Sequence, residues 1–147
     1  MKKTIVIFLT ILLCSCQPSI RDKIVHTIKK QGQVDSCEIK MTDITSFDWD
    51  TMYVFGTSAD LLYINQHLRF EYPYFDDIAD RIIFTKSKKI VYHEEEYPDP
   101  EKKKLLIFSF EDGKNKMMSF TPNTAIFKAK KIDFYGNSFY ELTPCCP

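Results

Sequence analysis

Arg81-Ile-Ile-Phe-Thr85 and Lys89-Ile-Val-Tyr-His93 decide the fold class, because from residue 80 onward the apolar and polar side chains alternate with a period of two. That period is typical of β-strands. The two runs flank Lys86-Ser-Lys88, which is short enough to form a hairpin turn. We therefore predict a β-hairpin over residues 81–93.

Two more pairs of runs repeat this pattern toward the C-terminus. One pair is Leu105–Phe110 and Lys116–Phe120 around Asp112-Gly113, and the other is Ala125–Phe134 and Ser138–Leu142 around Gly136-Asn137. Both dipeptides are strong hairpin signals. Because short turns join successive strands, we predict one mostly antiparallel meander sheet of about six to seven strands.

Upstream of the meander, two stretches have the apolar spacing of helices. Ile20, Ile24 and Ile28 fall on one helical face after Ser19, a capping residue, which predicts a helix over residues 20–31. The second stripe is Leu61, Leu62, Ile64 and Leu68, with Thr57 or Ser58 as the expected cap. We predict an α+β fold in which both short helices pack on one face of the sheet.

The segment Phe47–Phe55 between the two helices is predicted to be a strand. Its alternation places Phe47, Trp49, Tyr53 and Phe55 on one face and Met52 and Val54 on the other. We predict a loop from Glu94 to Pro100, because prolines at 98 and 100 interrupt strand pairing.

The N-terminus has the parts of a secretory signal. Lys2 and Lys3 form a basic start, and Ile5–Leu13 form a short apolar run. This run is far shorter than the roughly 20 residues that a membrane-spanning helix needs. It leads into Leu13-Cys14-Ser15-Cys16, in which a small residue directly precedes a cysteine.

Leu13-Cys14-Ser15-Cys16 resembles the lipobox of bacterial lipoproteins. The resemblance implies that residues 1–15 are a cleaved signal peptide and that diacylglycerol is attached to the Cys16 thiol. Two or three acyl chains hold a protein firmly to a membrane. It further implies a lipidated tether at residues 16–19 and a single globular domain at 20–147, anchored to the inner or outer membrane of the cell envelope.

Trp49-Asp50-Thr-Met-Tyr53-Val-Phe55 carries a second resemblance. It is similar to a Trp-Asp-x-x-Tyr-x-Phe segment of small uncharacterised exported bacterial proteins. This resemblance implies a compact α+β fold and carries no activity.

Composition excludes some function classes. Removal of the fifteen signal residues from the 147 leaves 132, enough for one hydrophobic core. Without Lys2 and Lys3, 18 basic side chains face 20 acidic ones, so the formal charge is −2. We predict no nucleic-acid partner, because the basic excess of nucleic-acid-binding domains is missing.

No spacing in the sequence matches a known enzyme or metal motif. His26, His67 and His93 lie on separate predicted elements, and neither His-Glu-x-x-His nor Gly-x-Ser-x-Gly occurs. We predict no metal, no cofactor and no catalytic residues. A hydrolase with a site built from scattered carboxylates is the alternative.

Three cysteines remain in the mature chain: Cys37, Cys145 and Cys146. Exported proteins can form disulfides. Cys37 could pair with either C-terminal cysteine, which would leave one thiol over, and the other interpretation is a tail whose cysteines are free or heterogeneously paired.

Aromatic and acidic residues in predicted loops are the candidate binding residues. These are Tyr72, Tyr74, Phe75, Glu94, Glu95, Glu96 and Tyr97. Exposed loops often carry recognition, and exposed tyrosines are favoured at binding surfaces. We predict a membrane-anchored, non-catalytic binding module whose loops 71–77 and 94–101 contact an envelope protein or polymer. An inhibitor or immunity-type protein that neutralises another protein is the second interpretation.

Overall fold

The computed structural model describes residues 18–32, 37–97, 105–110, 116–134 and 136–145. The described elements, in chain order, are α1 (Ile20–Gln31), β1 (Cys37–Lys40), α2 (Met41–Ile44), β2 (Thr51–Phe55), α3 (Leu61–Leu68), β3 (Asp80–Lys86), β4 (Lys89–Glu96), β5 (Leu106–Phe108), β6 (Met117–Phe120), β7 (Ile126–Phe134) and β8 (Asn137–Pro144). The predicted α+β class is confirmed.

The described strands form two sheets of four, where the sequence predicted one meander. The terminal sheet has the order β1-β7-β8-β5, and the central sheet has the order β4-β3-β2-β6. Neighbouring strands are antiparallel except for β5 and β8, which are parallel. The prediction of mostly antiparallel pairing is therefore confirmed, but the strands are divided between two layers.

Helix α1 forms where the sequence predicts it, because both of its ends are capped. The Ser19 hydroxyl accepts a 3.0 Å hydrogen bond from the backbone N–H of Asp22. At the other end Gly32 adopts a left-handed conformation with φ of 64°, which costs glycine little. Between these caps, Ile20, Ile24 and Ile28 are buried.

The larger hydrophobic core, called here the inner core, includes side chains of α1 and of both sheets. The terminal sheet contributes Phe127 and Leu142, and the central sheet contributes Met52, Ile82 and Phe84. The two sheets and α1 therefore share one buried layer.

A second hydrophobic core, called here the outer core, lies on the opposite face of the central sheet. Phe55 and Ile83 of that sheet pack with Ile64 and Leu68 of α3 and with Tyr72. Because strand side chains alternate between faces, β2 and β3 contribute to both cores. The prediction that both helices pack on one sheet face is wrong, since α1 and α3 pack on opposite faces.

Two local predictions upstream of the meander are also wrong. The N-cap of α3 is Asp60, whose carboxylate accepts from the Tyr63 N–H at 2.8 Å, rather than Thr57 or Ser58. Strand β2 begins only at Thr51, and Trp49 packs in the inner core with Met52. Trp49 does not follow the alternation of β2, because the chain bends between Trp49 and the start of the strand. Its indole N–H donates to Thr45 Oγ1 at 3.0 Å.

The predicted hairpins have mixed outcomes. Strands β3 and β4 pair around the turn at residues 87–88, and β7 and β8 pair around residue 136, so these two are confirmed. The hairpin over residues 105–120 is wrong, because β5 pairs with β8 in one sheet and β6 pairs with β2 in the other. A local turn signal does not specify which distant strand each arm will join. Strand β1 and the short α2 were not predicted.

Several N-terminal and cysteine predictions lie outside the described residues. The signal peptide, Cys16 and the first half of the tether fall within residues 1–17. The Cys37 side chain and Cys146 are also outside them, while Cys145 follows β8 and is exposed. No helix among the described elements is long and apolar enough to cross a membrane.

Candidate functional site

The candidate site is centred on β4, an edge strand of the central sheet. The predicted loop from Glu94 to Pro100 is wrong at residues 94–96, because these residues continue β4 and pair with Asp80–Ile82 of β3. Residues 98–100 of that prediction lie outside the described residues. Thr85 pairs with Ile90 and Phe84 with Tyr92, so Val91 is an extra residue that forms a β-bulge. After the bulge, residues 93, 95 and 97 lie on the outer-core face, and residues 92, 94 and 96 lie on the α1 face.

On the outer-core face, the Glu95 carboxylate is the centre of a hydrogen-bond network. Its Oε1 accepts from the Tyr72 hydroxyl at 3.0 Å and from Arg81 Nε at 2.9 Å. Its Oε2 accepts from the Tyr97 hydroxyl at 2.7 Å. Three donors, on β3, directly after β4 and in the segment after α3, therefore hold one carboxylate in a single orientation.

Arg81 supplies the positive charge of this network from a fully buried position. Its Nη1 donates to the Ala79 carbonyl oxygen at 2.8 Å, and its guanidinium carbon lies 4.6 Å from the centre of the Phe75 ring. Within the described part of the chain, Nη2 has no hydrogen-bond partner. Removal of one partner from a buried ion pair of this kind is strongly destabilising, because it leaves the other charge buried and unpaired.

The exposed side of this network is aromatic. The Tyr74 ring stacks on the His93 ring with 3.8 Å between the ring centroids and 10° between the planes. Tyr74 is 49% exposed and Tyr97 is 46% exposed, whereas Tyr72 is buried behind them. The expectation that Tyr72 is exposed is therefore wrong, and its hydroxyl serves Glu95 instead of a ligand.

The loop before β3 adds an apolar side chain in a strained backbone conformation. Ile78 is 60% exposed and has a φ of 54°, a left-handed value that β-branched residues rarely adopt. The Asp77 carboxylate accepts from the Ile78 N–H at 3.0 Å, and the Tyr97 hydroxyl lies 3.3 Å from Asp76. Strained residues of this kind cluster at functional sites.

We call the set of half-exposed and exposed side chains in this area the recognition surface. Its members are Tyr74, Asp76, Ile78, His93 and Tyr97. The surface combines apolar and aromatic area with a carboxylate, and it is supported from below by the Tyr72–Arg81–Glu95 network.

On the opposite face of β4, the side chains bind the first turn of α1. Glu94 Oε2 accepts from the Ile20 N–H and from the Tyr92 hydroxyl, each at 2.9 Å. Arg21 Nε lies 3.3 Å from Glu94, and Arg21 Nη1 lies 3.2 Å from Glu96. Two of the predicted binding glutamates are therefore engaged by a helix inside the domain.

The carboxylates and burial raise the pKa of the neighbouring tyrosines. Burial, together with the negative charge of Glu95, raises the pKa of Tyr72 far above its ordinary value. Burial is also the main cause that raises the pKa of Tyr92 to about 12, and the hydrogen bond to Glu95 raises that of Tyr97 to about 12. These hydroxyls stay protonated at neutral pH and act as hydrogen-bond donors.

Asp48 and Asp50, a pair of carboxylates beside Trp49, have a structural explanation. Asp48 accepts from Lys86 Nζ at 2.8 Å, a contact that lowers the pKa of the Asp48 carboxyl. Asp50 accepts from the Ser87 N–H at 2.6 Å. Both carboxylates thus hold the β3–β4 turn, whose Ser87 and Lys88 have positive φ values.

A cavity of about 290 Å³ lies near the start of β3. Phe55, Phe108 and Phe110 form apolar walls, and Arg21 and Asp80 add charge. Among the residues described here, no cluster of three or more His, Cys, Asp or Glu side chains could hold a metal ion.

The structure brings together five of the seven predicted binding residues. Tyr72, Tyr74, Phe75, Glu95 and Tyr97 share one network or its surface, while Glu94 and Glu96 face α1. Sequence reasoning missed Arg81 and Ile78. Arg81 is an arginine in an otherwise apolar strand, a signal that could have indicated a buried ion pair.

No protein-family model, curated protein or solved structure matches this chain.

Proposed function

We propose that this protein is a lipid-anchored, non-catalytic binding module of the bacterial cell envelope, and that it contacts its partner through the recognition surface. The anchor rests on the lipobox resemblance of Leu13–Cys16. The observation that carries the binding role is the stacked, half-exposed pair of Tyr74 and His93 above a buried Tyr72–Arg81–Glu95 network.

A rigid support of this kind favours binding. Side chains that are already ordered lose little conformational entropy when a partner covers them, so more of the contact energy appears as affinity. Tyr74 is ordered by stacking on His93, and Tyr97 by its hydrogen bond to Glu95. Tyrosine is also among the residue types that dominate the binding energy of interfaces.

The charge of this area favours a basic partner. Asp76 and Asp77 are exposed directly before Ile78 in the chain, whereas Glu95 is neutralised by Arg81. A lysine or arginine of the partner could pair with these carboxylates or lie over the Tyr74 ring. We expect electrostatic attraction to increase the association rate and to weaken with added salt.

An inhibitor or immunity-type protein is the second proposal. Its support is the same acidic and aromatic surface, but the acidic run lies within β4 instead of a protruding loop. A hydrolase remains the third hypothesis, with the cavity beside Arg21 and Asp80 as the place to look.

In-cell crosslinking tests the binding role directly. The lipidated protein is crosslinked in its native membranes and purified, and the same is done for a Tyr74→Ala/Tyr97→Ala variant. Phe139→Ala on β8 of the terminal sheet is the matched aromatic control. We expect one dominant partner with wild type and with the control, and a loss of about tenfold or more with the double variant. Equal capture by all three proteins would contradict the proposed surface.

A further inference from the structure

The predicted tether is too short to let the domain move far from the membrane. Only four residue steps separate the lipid-bearing Cys16 from Ile20, the first residue of α1. A fully extended chain of this length spans at most about 14 Å. If Cys16 carries the lipid, the start of α1 therefore stays close to the bilayer surface.

The start of α1 is firmly attached to one end of β4. Glu94 accepts from the Ile20 N–H at 2.9 Å, and Arg21 forms ion pairs with Glu94 and Glu96 at 3.3 and 3.2 Å. Arg21 is buried, so these ion pairs are shielded from water and screened less by salt than exposed pairs. The end of β4 at Glu96 is therefore held beside the tether.

The recognition surface lies at this same end. Tyr97 directly follows Glu96, and Asp76 lies 3.3 Å from the Tyr97 hydroxyl. Ser87 and Lys88 form the turn at the opposite end of β4, and eight strand residues separate the two ends. At about 3.3 Å per residue the two ends are roughly 25 Å apart.

We propose that the recognition surface binds a basic, juxtamembrane segment of an integral protein in the same membrane. This inference rests on the proposed function and names the partner class of its site. The short tether places the surface near the bilayer, and the exposed Asp76 with its neighbour Asp77 selects basic side chains. The same carboxylates oppose direct docking on anionic lipid head groups, because like charges repel.

The experiment combines a site-specific photocrosslinker with a change of tether length. The crosslinking amino acid replaces Ile78, and in a matched control it replaces Ser87 at the other end of the β3–β4 hairpin. Each version is made with the natural tether and with a flexible Gly-Ser insertion of about twenty residues between Gln17 and Pro18. Mass spectrometry checks the lipid on Cys16 and identifies the crosslinked peptide.

The expected product at position 78 is a lysine- or arginine-rich peptide that adjoins a membrane-spanning segment. Lengthening the tether should lower its yield by about tenfold, because the effective concentration of the surface at the membrane falls. Position 87 should give little of this product with either tether.

Two outcomes would overturn the inference while the binding role survives. A protein crosslink at position 78 that is unchanged by the longer tether would indicate a partner away from the membrane. Products with lipid as the main species would indicate docking on the bilayer. No product at position 78 with either tether, in protein whose Cys16 is shown to carry lipid, would instead reject the proposed function itself.

Discussion

The two faces of β4 carry the same residue types but use them for different purposes. Each face joins glutamate, arginine and tyrosine: Glu95, Arg81 and Tyr72 on one side, and Glu94, Arg21 and Tyr92 on the other. On the α1 face this set closes a contact inside the domain. On the outer-core face it supports exposed aromatic residues. The comparison shows that composition alone does not identify a binding surface.

The difference lies in what covers each set. Helix α1 covers Glu94 and uses its first backbone N–H as a donor. The segment 70–79 leaves the Glu95 side chain only 10% exposed, against 13% for Glu94, but it turns Tyr74 and Ile78 outward. A polar network beneath a helix of the same domain stabilises the fold, whereas one with an exposed aromatic rim also presents a rigid surface.

Insertion of one alanine between Tyr92 and His93 should have the largest effect on this comparison. The insertion shifts residues 93–97 by one place along β4, and a one-residue slip reverses every side chain of a strand. Glu94 would then face the outer core, and Glu95 would face α1. We expect no folded domain, as measured by circular dichroism and urea unfolding. Deletion of Val91 is the control, because it removes only the extra residue: Ile90 and Tyr92 keep their partners Thr85 and Phe84, so the domain should fold. A folded insertion variant would show that the register of β4 does not sort these faces.

Arg81→Met should destabilise the domain more than Arg21→Met does. Arg81 is 0% exposed and lies 2.9 Å from Glu95, so its loss leaves a buried carboxylate unpaired. We expect a loss of about 3–5 kcal/mol in the free energy of unfolding. For Arg21→Met we expect about 1–3 kcal/mol, because its ion pairs are longer, at 3.3 and 3.2 Å, and Glu96 is 28% exposed and can be hydrated. Glu94 also keeps its hydrogen bonds from the Ile20 N–H and the Tyr92 hydroxyl.

Chemical denaturation at neutral pH measures both losses. The double variant Arg81→Met/Glu95→Gln removes both charges and should recover most of the stability. An equal or larger loss in the free energy of unfolding for Arg21→Met would show that the α1 face depends on its arginine at least as strongly as the outer-core face does.

Tyr72→Phe should have a smaller effect that is specific to the outer-core face. It removes one of three donors to Glu95 and leaves a buried ring in place. We expect a loss of about 1.5 kcal/mol in the free energy of unfolding at neutral pH. The crosslinking yield at the recognition surface should also fall, since a Glu95 carboxylate with one donor fewer holds the Tyr97 hydroxyl less firmly. Unchanged yield in a destabilised but folded variant would indicate that Tyr72 does not support the surface.

Tyr92→Phe tests the α1 face through pH. The folded domain raises the pKa of Tyr92 from 10.0 to about 12, so its hydroxyl keeps its proton when the unfolded chain has lost it. The resulting stabilisation is fully present below pH 10.0 and is lost as the pH rises through about 12. Stability should therefore fall less steeply across this window in Tyr92→Phe than in wild type. The free energy of unfolding is measured by urea denaturation at several pH values in this window. The same dependence on pH in both proteins would count against a neutral, carboxylate-bound Tyr92.

Ile78→Gly should give the smallest effect, with the opposite sign. Its φ of 54° costs isoleucine about 1–2 kcal/mol, and the entropy of glycine in the unfolded chain offsets about 0.5–1 kcal/mol of the relief. We expect a net gain of about 0.5 kcal/mol in folding stability together with weaker partner capture. Ile78→Ala is the control, because alanine loses the side chain but keeps the strain. A glycine variant that is less stable than the alanine variant by about 0.5–1 kcal/mol would show that no strain is stored there.

Local chemistry made several elements predictable. Ser19, Gly32 and the isoleucines between them encode the twelve-residue helix α1, and the β3–β4 and β7–β8 hairpins follow from alternation and short turns. The candidate aromatics were found because tyrosines in polar segments stand out. Such features depend on neighbours in the chain, which the sequence lists directly.

The remaining features depend on distant partners. Asp112-Gly113 signals a reversal, but β5 pairs with β8 and β6 pairs with β2. Glu94–Glu96 looks like a solvated loop, because the arginines that neutralise it lie far away in the sequence, at positions 21 and 81. Burial of charge becomes predictable only when the partner is known.

The sequence by itself therefore determined the α+β class, helix α1 and two hairpins, because each depends on short-range spacing. The lipid anchor is a prediction from the same kind of local pattern. Only the tertiary structure decided the division into two sheets, the bulge at Val91 and the faces on which the β4 glutamates lie. The physical reason is that strand pairing and ion pairing join residues far apart in the chain, and one extra residue in a strand reverses the direction of every side chain after it.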